Sequence, residues 1–256
     1  EFLACLTPVV KEPTRTEAEQ PVSYKVEGEQ FNREDWQLNR HDGLNFGEGH
    51  GTVYVGAEIN PDFTASGTDA VGYFDFGDTA ATRFTGNAVI GLDGKSAMCY
   101  RFHRHGYAWS NYYGNATYQD YDANVTSHEL DYLYKVAPGL ALTAGLHHDK
   151  IGIDVTASSG NSSGSVSFDD SRVSWTAGLL GRWYLNDWLT FNAAAGAGPK
   201  LVRFDVGLGL NVAPNTELYL GYENYLYRSF NIDAGSRSYE AETRISGFNA
   251  GLNFRF

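Results

Sequence analysis

From about residue 50 onward, apolar and polar side chains alternate one by one, not at helical spacing. The stretch ISGFNAGLNFRF shows it most cleanly. Phe248, Ala250, Leu252, Phe254 and Phe256 fall on one face, and Gly247, Asn249, Gly251, Asn253 and Arg255 on the other. A period of two is the pattern of a β-strand with one apolar and one polar face. LVRFDVGLGLNV sets Val202, Phe204, Val206, Leu208, Leu210 and Val212 against Arg203, Asp205, Gly207, Gly209 and Asn211. ELYLGYENYLYRSF sets Leu218, Leu220, Tyr222, Leu226 and Phe230 against Glu217, Tyr219, Gly221, Glu223 and Tyr225. RVSWTAGLLGRWYL sets Val173, Trp175, Ala177 and Leu179 against Ser174, Thr176, Gly178 and Arg182. The whole pattern predicts about ten strands (eight to twelve). They fall near 51–63, 83–92, 96–114, 127–136, 140–156, 172–185, 188–198, 200–212, 216–230 and 244–256. VGYFDFGD, near 71–78, reads as either a further strand or part of a loop.

The connections differ between the two ends. LDGK, APG, LND and APN are tight turns, whereas NATYQDYDANVT and SSGNSSGSVSFDDS read as long polar loops, with GPK a short exception. Short turns on one side and long loops on the other are the arrangement of a transmembrane β-barrel. Residues 1–48 do not alternate; they carry Pro8, Pro13 and Pro21 among many acidic residues. They read as an irregular acidic arm, lying in the periplasm or folded into the barrel, and as a contact for a periplasmic or membrane protein partner. Residues 49–256 form the barrel.

Composition sharpens this in two ways. The formal net charge of -12 argues against a nucleic-acid partner. No apolar run approaches the roughly 18–20 residues of a membrane helix, but a barrel hides its lipid-facing residues in every second position. A soluble β-sandwich alternates as well. Here, however, Gly178, Gly196, Gly207, Gly209 and Gly251 sit on the polar face, which suits the cramped interior of a small closed barrel. Trp183, Trp188, Tyr222, Phe254 and Phe256 suit an interfacial aromatic girdle. A free edge as apolar as 244–256 would invite aggregation, and closure onto the first strand removes it. The expected fold class is all-β: a closed antiparallel up-and-down transmembrane β-barrel with an irregular N-terminal arm.

VGLGLNVAPNTELYLGYENYLYR followed by GFNAGLNFRF resembles the final hairpins of the small bacterial outer-membrane β-barrel proteins, the opacity-protein and outer-membrane-protein-A-like group. The resemblance covers roughly residues 173–256, and ten strands exceed the eight usual in that group. It implies a Gram-negative outer membrane, with outer-membrane lipid and lipopolysaccharide as surroundings. It also implies a closing strand read by the barrel-insertion machinery, with Phe248, Phe254 and Phe256 as the insertion signal.

The inward positions carry both charge signs: Arg101, Glu129, Asp131, Arg182, Arg203, Asp205, Glu217, Glu223 and Arg255. An unpaired charge in a narrow low-dielectric interior costs several kcal/mol or more, so these groups are expected to form an ion-pair network that closes the lumen. The APN turn makes Glu223 the first-choice partner of Arg203. The expected role is structural or interactive, the alternative being a narrow, weakly selective diffusion channel. A second alternative is a hydrolase with a rim site. FHRHG (His103, His105) and LHHDK (His147, His148, Asp149) lie where the alternation slips phase, which implies a bulge or the end of the membrane band. A His–Asp pair can activate water, but the same spacing suits an interior ladder, and no nucleophile motif accompanies it. No enzyme activity, cofactor or metal is therefore expected, there being no thiol pair or HExxH to strengthen a zinc site. Cys5 and Cys99 are far apart, and paired, free and lipid-attached states all stay open.

Overall fold

The computed structural model describes residues 42–67, 74–75, 83–113, 117–159, 161–234 and 237–256. Most of the acidic arm therefore lies outside the described residues. The strands are β1 (Gly51–Gly67), β2 (Phe74–Asp75), β3 (Arg83–Gly91), β4 (Ser96–Tyr113), β5 (Thr117–Ala137), β6 (Leu140–Ser159), β7 (Ser162–Tyr184), β8 (Leu189–Ala197), β9 (Leu201–Ala213), β10 (Thr216–Ala234) and β11 (Arg237–Arg255), with no helix among the described residues. Ten of them form one antiparallel ring. Each pairs with its neighbour in sequence, and β11 returns to β1 with Thr52 opposite Arg255 and Val55 opposite Leu252. Gly51 and Phe256 exchange N–H···O bonds of 2.9 and 3.0 Å at this seam, so the apolar strand 244–256 has no free edge. β2 stands outside the ring and pairs with Thr64 and Ala65 of β1.

The barrel is apolar outside and polar inside. Phe204 is 47% exposed and Phe248 58%, while Arg203, Glu217 and Asn249 of the same hairpins are buried. A continuous belt of exposed Leu, Val, Phe and Trp of this size belongs against lipid, not water. The two faces follow the alternation, with one correction. Phe230, expected outside, is fully buried inside. A register shift between Tyr227 and Phe230 inserts one extra residue into β10 and reverses the phase beyond it.

The two expected polar loops are also corrected: they are largely strand. β5 begins at Thr117 and β7 at Ser162. β4 to β7 run 18, 21, 20 and 23 residues, against about 9–11 for a tilted membrane crossing. They continue past the bilayer, where the outer face meets water. Polar residues then suit both faces, and the period of two disappears from the sequence although the backbone ladder persists. The asymmetry of the two ends is therefore mainly one of strand height. β8 and β9, with 9 and 13 residues, leave the wall low at one point. Arg172 of β7 spans that notch. It donates to the carbonyls of Lys200 (3.0 Å) and Arg228, and its guanidinium lies 3.5 Å from the Phe230 ring centroid.

At the short-turn end the turns are fixed locally. Asp93 accepts the N–H groups of Lys95 (3.0 Å) and Ser96 (2.6 Å), and these donors hold its carboxyl below the usual carboxylate range. Gly139 of the APG turn has φ 72°, and a Cβ there would lie 2.4 Å from the Trp183 ring. Gly139→Val should therefore destabilise the barrel by about 1–2 kcal/mol or more. A lowered urea midpoint of the heat-modifiable gel band is the expected reading; an unchanged midpoint would contradict it.

Candidate functional site

The inward side chains fill the lumen in levels. The floor is built by residues ahead of β1. Asp42 bridges to Trp183, and Gly43 donates its N–H to the Arg182 carbonyl at 2.9 Å. The Asp42 carboxylate accepts the Gly139 N–H at 2.8 Å. Lys135 forms a salt bridge with Asp42 and donates to the Leu44 carbonyl at 2.8 Å. Leu44 and Phe46 are thereby pressed onto Ala97, Cys99, Leu133 and Ala141. The Cys99 thiol is free and buried; Cys5 lies outside the described residues.

Above the floor, four charges meet across the lumen. Arg101 on β4 donates to Glu129 (3.0 Å) and Asp131 (3.1 Å) of β5. Arg203 on β9 donates to Asp131 at 2.9 Å and also to Glu129. In the ring order β4 and β9 stand on opposite walls, so the cluster crosses the full width of the barrel. Thr176 of β7 supplies Glu129 with another bond of 3.1 Å. Two positive and two negative groups, all buried, balance one another, and the multiple hydrogen bonds offset their desolvation.

This pairing differs from the expected Arg203–Glu223 contact. A register shift beside the APN turn, between Thr216 and Glu217, sets Arg203 opposite Tyr225 and Glu223 opposite Asp205. Glu223 instead accepts from Asn249 of β11, and Asp205 accepts from the Tyr219 hydroxyl at 3.0 Å. Nearer the short-turn end, Arg182 and Thr190 both donate to Glu217. Arg255 donates to the Tyr184 hydroxyl at 2.7 Å and lies 3.9 Å from Glu217.

His103, His105 and His147 lie inside the barrel, not on its rim, whereas His148 faces outward. β4 runs through His103 and His105 in unbroken register with both neighbours, with no bulge; the two residues simply occupy consecutive inward positions. His103 lies 3.1 Å from the Thr85 hydroxyl and 3.2 Å from that of Tyr225, with His105 stacked on it at 6.1 Å. His147 Nδ1 lies 2.8 Å from Asp149, which also accepts from Ser127 at 2.7 Å. Ser127 thus bonds the carboxylate and not the imidazole, so the histidine does not activate the hydroxyl. Directly above, Tyr107, Val125, Ile151, Tyr227, Phe230 and Ile245 pack together as an apolar roof.

A cavity of about 150 Å³ remains among Phe46, Arg101, Arg182, Asp205, Glu217 and Tyr219. At roughly 10–15 Å³ each it has room for on the order of ten waters, and its lining is polar enough to hold them. Tyr54 and Tyr219 meet edge to face at 5.5 Å on its wall. An added Cβ at Gly56 would lie 2.0 Å from the Tyr54 hydroxyl, and one at Gly207 would lie 2.4 Å from that of Tyr219. These inward glycines make room for tyrosine rings. Tyr54-Val55-Gly56 and Tyr219-Leu220-Gly221 both follow a Tyr-x-Gly pattern, a signal of ring-over-glycine packing that the inward and outward sorting alone passes over. Phe248, Phe254 and Phe256 face outward, 58%, 42% and 60% exposed.

No protein-family model matches this chain, and no curated protein matches it in sequence. Solved structures do resemble it. The outer membrane protease OmpT of Escherichia coli aligns with a TM-score of 0.53 at 11% identity, over 83% of this chain and 99% of that one. Ail, the attachment invasion locus protein of Yersinia pestis, aligns at 0.41 with 13% identity, over 82% and 99%. Neisserial surface protein A aligns at 0.35 with 15% identity, over 82% and 100%. At such identities the likeness concerns the fold alone. Its closed ring, its apolar outer belt and the fold it shares with OmpT make the chain a closed antiparallel β-barrel with the fold of an outer-membrane protein.

Proposed function

We propose that this barrel is a structural or interaction element of the outer membrane whose interior passes no solute. The observation that carries the reading is the Arg101–Glu129–Asp131–Arg203 cluster, which joins opposite walls through charge-assisted hydrogen bonds. The apolar roof and the Asp42–Phe46 floor support it from either side. The cavity lies between these blocks. A non-catalytic role is supported by the burial of His147 and Asp149 beneath Ile151, out of reach of a substrate. The acidic, proline-spaced residues 1–48 are the proposed contact for a periplasmic or membrane protein partner.

Planar-bilayer recording tests the closed interior. The purified, folded protein should give no stable conductance steps. Reproducible steps of one size would replace this reading with that of a narrow diffusion channel.

A further inference from the structure

The outer face of β4–β7 changes character row by row. Cross-strand partners define the rows. Tyr100, Leu130, Leu146 and Trp175 form one; Phe102, His128, His148 and Val173 form the next; Arg104, Thr126, Lys150 and Ser171 stand above them. Two further rows lie below, ending with Tyr134, Leu142 and Leu179. The four rows up to His148 occupy about 20–27 Å along the strands, which at a strand tilt of about 35–45° is about 15–22 Å of an apolar band about 25 Å tall. The Arg104–Lys150 row therefore stands at the margin of the hydrocarbon, on the side away from the short turns.

Two features of this edge point to a ligand. The first is charge. Arg104 and Lys150 are exposed, and neither has a carboxylate partner among the described residues. They stand two strands apart, about 10 Å between backbones, a span their long side chains can close on one anion. The rows above carry Asp169, then Asp122 facing Asp154, so an anion finds its complement only at the Arg104–Lys150 level. The second is shape. Just beneath lies a shallow outer depression of about 190 Å³ between Tyr100, His128, Leu130, Leu146, His148 and Val173. Its upper lip is fixed: Tyr100 bonds His128 at 2.7 Å, His148 bonds Ser171 at 2.8 Å, and the two imidazoles stack at 6.3 Å.

We propose that this patch holds a phosphorylated lipid of the outer leaflet, with Arg104 and Lys150 on the phosphate and an acyl chain in the depression beneath the His128–His148 pair. Charge above and an apolar trough below match a lipid that is anionic at its head. A free phosphate would leave the trough unused.

Native mass spectrometry of the detergent-folded, full-length protein tests it, with lipid A and with the same lipid stripped of both phosphates as probes. Wild type should retain lipid A at least about tenfold better than does Arg104→Ala/Lys150→Ala, the loss expected when two cations are withdrawn from an anionic lipid surface. The dephosphorylated lipid should bind both forms equally weakly, and excess inorganic phosphate alone should not displace lipid A. Lys95→Ala, at the opposite edge of the belt, should behave as wild type. Equal retention by the double variant, an equal loss with Lys95→Ala, or displacement by inorganic phosphate would each overturn the assignment. Both variants carry only exposed substitutions, and an unchanged heat-modifiable gel shift verifies folding.

Discussion

Replacing Arg203 by alanine should lower the stability of the folded barrel by about 3–5 kcal/mol, the cost of leaving buried charge uncompensated. Arg203 donates to both Glu129 and Asp131 from the opposite wall. Without it two buried carboxylates share Arg101, and one negative charge is left without its counterion. Urea titration followed by the heat-modifiable gel shift would show the midpoint fall. The double variant Arg203→Ala/Asp131→Asn should recover part of the loss, because it restores charge balance around Arg101 and Glu129. Phe204→Ala, the next residue but on the lipid side, removes apolar contact without stranding a charge, and its effect should vary with the lipid used. An Arg203→Ala midpoint equal to wild type would mean that the cluster holds nothing together.

The second large effect should come from Phe230→Ala. Phe230 is fully buried in the roof beside Tyr227 and lies under the Arg172 guanidinium that spans the notch. Truncating a buried phenylalanine costs about 3–5 kcal/mol. Here the loss also strips Arg172 of its ring contact. The same substitution at a lipid-facing site would respond to acyl-chain length and leave the roof intact. An unfolding midpoint that falls alike in short- and long-chain lipids is the expected result. A strong dependence on chain length would return Phe230 to the outer face, where plain alternation puts it.

Within the bilayer the fold was readable, because lipid on one side and a polar lumen on the other impose opposite demands on successive residues. Phe204 and Arg203, or Phe248 and Asn249, are sorted by the alternation alone. The signal failed where that contrast ends. Thr117–Thr126 and Ser162–Ser171 are strands whose outer face meets water, so their sequence resembles loop. It failed again wherever a residue is inserted, since one bulge reverses every later assignment, as for Phe230. The interior charges were identifiable as a set, but their partners were not. Counting from a turn finds neighbours along the sheet, whereas Arg203 reaches across the lumen to β5. The floor could not be read from periodicity either: Asp42–Phe46 acts through backbone bonds and a few side chains, with no repeating pattern.

The seam between β1 and β11 also bears on the time course of assembly. Every other ladder of the ring joins strands that follow one another in the sequence, with only the short β2 between β1 and β3, and these can zip up locally. The seam alone joins residues as distant as Thr52 and Arg255. Bringing such ends together costs about 5 kcal/mol of chain entropy by the logarithmic loop law, against roughly 2 kcal/mol for one hairpin. The polypeptide should thus accumulate as an open, curled sheet, and its last and slowest event should be the meeting of its two margins.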